Sequence, residues 1–136
     1  MAYVSVITGG TGGMGIEIAK RLTKNTKILL CGRRESKLAE AKAALKDCEN
    51  VEYAVMDVVN RDDIKAAVEK AREMGEVKNV IHAAGVNEFT NGKPNDPGFI
   101  LENNIKGAQY IAEAFLPIIC EGGSYLNIAS MSSYYN

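Results

Sequence analysis

The residues best suited to chemistry form a tight run near the start of the chain, Thr8-Gly9-Gly10-Thr11-Gly12-Gly13-Met14-Gly15. A turn this rich in glycine lets backbone N–H groups come close to an anion, because no Cβ stands in the way. What flanks the turn decides whether it does so. The apolar run Tyr3 to Ile7 precedes it, and a helical pattern from Ile16 to Leu22 follows. Strand, glycine turn, helix is the order in which a helix N-terminus offers unpaired N–H groups and the positive end of its dipole to a phosphate. On these residues alone, a turn that merely connects two elements remains the alternative.

Composition narrows the partners. The 136 residues suffice for one domain or part of one, and a formal charge of −1 with a pI near 5.9 gives no basic footprint for nucleic acid or an anionic membrane. Hydrophobic residues make up 46% and charged residues 24%, which describes an ordinary globular chain. Cys31, Cys48 and Cys120 are odd in number and lack metal-type spacing, so they read as reduced thiols buried as small hydrophobes, with no metal site. No run reaches transmembrane length, and the N-terminal apolar segment is too short and has no basic flank for a signal peptide. The expected location is the cytoplasm.

The elements that must position the turn follow from periodicity. Strands are expected at Tyr3–Thr8, Thr26–Cys31, Val51–Met56, Lys78–Ala84 and Ser124–Ala129. Helices are expected over Gly13–Lys24, with Ile16, Ala19 and Leu22 toward the sheet, and over Lys37–Lys46, capped by Ser36. A third runs from an Asn60 cap, with Asp63 three residues on, through Ile64, Ala67, Val68 and Ala71 to Met74, where Gly75 stops it. A fourth, long and apolar, covers Phe99–Ile119, with Pro117 near its end. Gly85–Gly98 reads as a polar surface loop and Ser130–Asn136 as a tail. Short apolar strands alternating with helices predict an α/β, Rossmann-like, doubly wound parallel sheet in three αβα layers, in strand order 3-2-1-4-5. The glycine turn then lies at the C-terminal strand ends, beside the reversal of strand order.

With the elements in this order, the residues resemble the short-chain dehydrogenase/reductase family over nearly the whole length. Thr8-Gly9, three residues, then Gly13-Met14-Gly15 is similar to its cofactor fingerprint, and Asp57 with Val58 follows the third strand where the family meets the adenine ring. His82-Ala83-Ala84-Gly85 stands where the family has Asn-Asn-Ala-Gly; Asn104-Ile105-Lys106-Gly107 resembles the helix motif with the catalytic Asn; Asn127-Ile128-Ala129-Ser130 resembles the strand motif ending in the catalytic Ser. The resemblance implies cofactor contacts at Thr8, Gly9, Thr11, Gly13, Met14, Gly15, Arg33, Asp57, Val58, Ala83, Ala84 and Gly85, and catalytic roles for Asn104 and Ser130. It implies a hydride-transferring oxidoreductase acting on a small carbonyl or alcohol, and a homo-oligomer pairing through the 99–119 helix.

Two departures accompany the likeness. His82 replaces the first Asn and reads as a structural hydrogen-bonder in preference to a catalyst. The family's Tyr-x-x-x-Lys pair falls after Asn136, so residues 1–136 are expected to be the N-terminal, dinucleotide-binding part of such a fold. At the end of the second strand, where an NAD-selective site carries an acid, stand Gly32, Arg33 and Arg34. The Arg33 fork suits a 2′-phosphate, so NADP is expected over NAD, with a solvated basic turn as the alternative. Two other readings stay open. One is a catalytically incomplete dinucleotide-binding module; the other is the epimerase- or dehydratase-like extended branch, whose Gly-x-x-Gly-x-x-Gly spacing Gly9, Gly12 and Gly15 also fit. Phe115-Leu116-Pro117 before Gly122-Gly123-Ser124 favours the compact reductase branch.

Overall fold

A computed structural model of the chain describes residues 2–9, 13–83, 97–98 and 102–128. Among the described residues the main elements follow in the order β1 (Tyr3–Thr8), α1 (Gly13–Leu22), β2 (Lys27–Gly32), α2 (Glu35–Ala44), β3 (Val51–Val55), α3 (Arg61–Met74), β4 (Glu76–His82), α4 (Gly107–Phe115) and β5 (Ser124–Asn127). The sheet order is β3-β2-β1-β4-β5, as expected, and every pairing is parallel, which the alternation of strands and helices predicts.

Both faces of the sheet are covered, which is why its strands are apolar at successive positions. Val4, Val6, Leu29, Cys31 and Val80 face Ile64, Ala67, Ala71 and Met74 of α3 and Ile111 and Phe115 of α4. The alternate residues Ile7, Ile28, Leu30 and Ile81 face Ala19 of α1 and Leu38 and Ala41 of α2, with Ile16 and Leu22 packed beside them. One register shift breaks the alternation. Val4 lies opposite Val77 but Ser5 lies opposite Asn79, so Lys78 is an extra residue in β4. The bulge lets Val77 and Val80, three apart, enter the same core. Beside it, Ser124 Oγ donates to Asn79 Oδ1 (2.9 Å), Asn79 Nδ2 donates to Ser5 Oγ (3.1 Å), and Ser5 Oγ meets Thr26 Oγ1 (2.8 Å), so the polar side chains of this strip are paired across the strands.

Several boundaries differ from the sequence expectation. Ser36 does not cap α2: the helix begins at Glu35, and Arg34 holds the N-cap position in an extended conformation with no side-chain cap bond. Glu35 in the first turn supplies the negative charge that a helix N-terminus favours. The expected Phe99–Ile119 helix is broken. Its described part is a π-helical turn at Glu102–Lys106, then α4, then a 3₁₀ turn at Leu116–Ile118 that contains Pro117. Proline has no N–H for an α-helical bond and its ring crowds the preceding turn, so the α geometry ends just before it. Strand β4 starts at Glu76, two residues earlier than expected, where the Glu76 N–H donates to Ala2 O (3.0 Å). The segment 84–96 lies outside the described residues, and so does the tail.

Two contacts are open to direct measurement. Asn60 caps α3 as expected, its Oδ1 accepting from the N–H groups of Asp62 (3.0 Å) and Asp63 (3.1 Å). Replacing Asn60 by Ala is expected to cost about 1 kcal/mol, the usual worth of an N-cap, read from the urea midpoint at constant m. Gly107, at the start of α4, lies against Val58: a Cβ there would stand 2.5 Å from Val58 Cγ2 and 3.0 Å from its Cβ. Gly107→Ala is therefore expected to cost about 1–3 kcal/mol, and much less in a Val58→Ala background. Equal costs in the two backgrounds, by urea denaturation, would refute the contact as the cause.

Candidate cofactor site

Parallel register brings the ends of the strands level. Thr8 lies opposite Cys31 on one side and His82 on the other, His82 lies opposite Asn127, and Gly32 lies opposite Val55. One backbone bond past each strand end holds the departing chain. Gly9 N–H donates to Cys31 O (3.0 Å), Ala83 N–H to Thr8 O (3.1 Å), Met56 N–H to Gly32 O (2.7 Å) and Ile128 N–H to His82 O (3.0 Å). The sheet therefore gathers at one edge the Thr8-Gly9 turn, Arg33, Asp57 and Ala83. Of the residues singled out in the sequence, Thr11, Ala84, Gly85 and Ser130 lie outside the described residues.

The turn has the local features an anion needs. Gly9 adopts φ +74°, a left-handed conformation that a side chain strains. Helix α1 begins at Gly13, buries Gly15 and leaves Met14 exposed. It carries no acid in its first turn and ends on Lys20 and Arg21, whereas α2 has Glu35 and α3 has Asp62 and Asp63 at their starts. Its own side chains thus leave the positive end of the α1 dipole uncompensated, and these features fit a phosphate group.

At the other strand ends the geometry is specific. The Asp57 carboxylate accepts the Val59 N–H (3.1 Å), folding the chain back after β3, while the Asp57 N–H donates to Asp63 Oδ2 (3.0 Å). That second bond occupies the Asp63 side chain, which a capping box would have turned toward Asn60. Val58 is packed in the core against Gly107, so its side chain does not reach outward; any contact it makes with a ligand is through its backbone. Arg33 is half-buried in the turn after β2 and Arg34 is exposed. Asn104 is exposed within the π-helical turn and its neighbour Asn103 is buried. A π turn carries an extra residue in its ring of hydrogen bonds, a departure that recurs at functional positions.

Thr8 and His82 meet through their side chains as well. Thr8 Oγ1 is 2.7 Å from His82 Nδ1, both residues are buried, and burial pushes the His82 pKa below its usual 6.5. Burial pushes the Cys31 thiol up to about 12, against an opposing pull from Lys70, so it stays a neutral, inert filler. The sequence gives no sign of the π turn, of the Val58–Gly107 contact or of the Asp57–Asp63 bond. The one available signal is a glycine within an otherwise strong helical run, which marks a close approach.

Comparison with known proteins agrees with this arrangement. Residues 3–136 match the short chain dehydrogenase family model. An uncharacterised oxidoreductase of Staphylococcus saprophyticus is 33% identical over 140 residues, a match covering 96% of this chain and 60% of that protein. An uncharacterised oxidoreductase of Staphylococcus aureus is 31% identical over 138 residues, covering 96% and 59%. Among solved structures, a short-chain dehydrogenase/reductase from Burkholderia phymatum in complex with NAD has a TM-score of 0.84 at 26% identity, covering 96% of this chain and 50% of that one. A variant of actinorhodin polyketide ketoreductase with NADPH has a TM-score of 0.82 at 25% identity, covering 98% and 55%. The chain spans about 60% of the length of the curated relatives it matches. With its parallel sheet, its glycine turn and a family match running from residue 3 to residue 136, the chain belongs to the short-chain dehydrogenase family of oxidoreductases.

Proposed function

We propose that the protein is an NADP(H)-dependent oxidoreductase interconverting a carbonyl and an alcohol by hydride transfer, with residues 1–136 as its dinucleotide-binding unit. The observation that carries this reading is the shared strand-end edge from which Gly9, Arg33, Asp57 and Ala83 all depart. Related structures hold NAD in one case and NADPH in another, so the choice of coenzyme falls to the end of β2. There Gly32 leaves no carboxylate to repel a 2′-phosphate, and the Arg33 guanidinium offers a planar fork of donors to it.

In this reading the Thr8–Gly15 turn and the start of α1 hold the pyrophosphate, Asp57 and the Val58 backbone border the adenine, and Ala83, Ala84 and Gly85 line the remaining length. The bound coenzyme supplies or accepts the hydride. Ser130 holds the substrate carbonyl oxygen, and Asn104 keeps a water-bridged path for the proton. The exposed apolar side chains of Ile105 and Leu116, on either side of α4, support homo-oligomerisation through the 99–119 segment. Leu116→Glu is then expected to weaken the association, and a monomer in sedimentation equilibrium of the unaltered protein would dismiss it.

Titration with NADPH and NADH tests the coenzyme assignment. Arg33→Ala is expected to weaken NADPH binding by about 10- to 100-fold, the worth of a charge-assisted bond, with NADH little changed. Gly32→Asp should move the preference toward NADH. NADPH affinity untouched by Arg33→Ala would overturn the NADP assignment, and binding with no turnover over a panel of ketones would favour a dinucleotide-binding module over an enzyme.

A further inference from the structure

Asp57, which the proposed function sets beside the adenine, is held by a side chain from α3. We propose that Asp63 is the positioning residue for Asp57: by accepting the Asp57 N–H it fixes the Asp57 carboxylate, so that recognition of the adenine base depends on Asp63. The proposal rests on the dinucleotide reading and adds to it a residue that acts through Asp57. Because adenine is common to NADP and NAD, it holds whichever coenzyme is preferred.

The need for Asp63 comes from the edge of the sheet. Met56 N–H donates to Gly32 O (2.7 Å), which continues the β3–β2 ladder just past Val55. Successive N–H groups of an extended chain point to opposite sides, so the N–H of Asp57, the next residue, turns away from β2. Among the described residues no strand lies beyond β3 to receive it. Asp57 is half-buried, and a backbone N–H there needs an acceptor. Asp63 Oδ2 supplies one at 3.0 Å. Asp63 is itself fixed, since it lies in the first turn of α3 and its own N–H donates to Asn60 Oδ1 (3.1 Å). The acceptor is thus carried by a capped helix start and not by the loop it steadies.

The other polar groups of Asp57 show what this bond accomplishes. Its carbonyl oxygen accepts the Asn60 N–H (2.9 Å), and its Oδ1 accepts the Val59 N–H (3.1 Å). With its N–H on Asp63, the main chain of Asp57 is bonded on both sides of Cα, and the side chain is turned by its bond to the residue two further on. Among the described residues no donor reaches Oδ2. Asp57 therefore offers one open acceptor in a fixed place. Such an acceptor suits the exocyclic amine of adenine and opposes the carbonyl oxygen that hypoxanthine carries at the same ring position. Removing the Asp63 carboxylate leaves the Asp57 N–H unpaired, and the peptide then turns toward water and carries the Asp57 carboxylate with it.

The test measures dissociation constants for NADPH and NADH, and for the counterpart of each in which hypoxanthine replaces adenine. The readout is the ratio between the two bases, which a general loss of stability leaves unchanged. The unaltered protein is expected to prefer adenine by about tenfold or more, the worth of a bond to a charged group, and Asp57→Ala should bring the ratio close to one. Asp63→Ala should lower the ratio by about threefold or more and speed hydrogen exchange at the Val59 amide, whose acceptor is Asp57. Asp63→Asn, which keeps an oxygen for the same bond, should retain the ratio. If Asp63→Ala does not fold, Asp63→Ser decides in its place, because its oxygen stops one bond short of the Asp57 N–H. A ratio unchanged in Asp63→Ala or Asp63→Ser overturns the proposal, and so does a loss in Asp63→Asn as large as theirs. A ratio near one in the unaltered protein, or one untouched by Asp57→Ala, removes the adenine placement of Asp57 and the proposal with it. Failure to bind any of these coenzymes would instead remove the dinucleotide reading itself.

Discussion

The structure depends on the parallel pairing of β1 with a neighbour on each side. A central parallel strand has no free edge, so its position is fixed by two ladders at once, and at Thr8 those ladders end level with Cys31 and His82. Everything placed at the candidate site inherits that alignment. Gly9 leaves from it, Gly32 and Arg33 leave one strand away, and Ala83 leaves on the other side. No side chain in the site has to hold this geometry by itself. The cost is that the connections must all be crossovers, and each needs a helix to cover the face it returns across.

Those helices explain which sequence signals were legible. Tyr3–Thr8 was readable to the residue because it is buried on both faces and bounded by glycine, and α3 because Asn60 caps it and Gly75 ends it. The parallel sheet followed from the alternation of elements, and its order agrees with the expected 3-2-1-4-5. The expectation failed where one residue type had two uses. Ser36 is a good cap, yet it lies inside α2, since Arg34 already has the extended conformation that starts the helix two residues earlier. An unbroken apolar pattern from Phe99 to Ile119 also conceals a change in helical geometry. Periodicity reports which residues face the core, and π, α and 3₁₀ turns can all keep an apolar face inward over one or two turns.

The π turn and Gly107 are best understood together. The chain must bring Asn103 inward and then start α4 close above Val58, where no side chain fits. Val58 follows Asp57, whose own fold-back is fixed by its bonds to Val59 and Asp63. The edge of β3 and the start of α4 are thus joined through a methyl group resting on a glycine. Sequence reasoning saw Val58 as a cofactor neighbour and Gly107 as part of a motif, and had no means to see that they touch. Contacts of that kind join segments about fifty residues apart and have no local signature.

The same layout separates binding from selection. A chain of net charge −1 attracts no anion at long range, so an anion site must come from local placement. A helix N-terminus free of acid contributes about 0.3–1 kcal/mol toward a negative group at the surface, rising to about 2 kcal/mol when partly buried. In the proposed reading that contribution goes to a pyrophosphate shared by both coenzymes, so it raises affinity for each equally and selects neither. Selection is a difference of affinities and must arise where the two ligands differ. In the proposed reading the 2′ position is served by the end of β2, one strand away, where a charge-assisted bond is worth about 1.5–3 kcal/mol. The glycine turn and Arg33 can therefore vary independently: changes near Thr8 should alter both affinities together, while changes at Gly32 or Arg33 should alter their ratio.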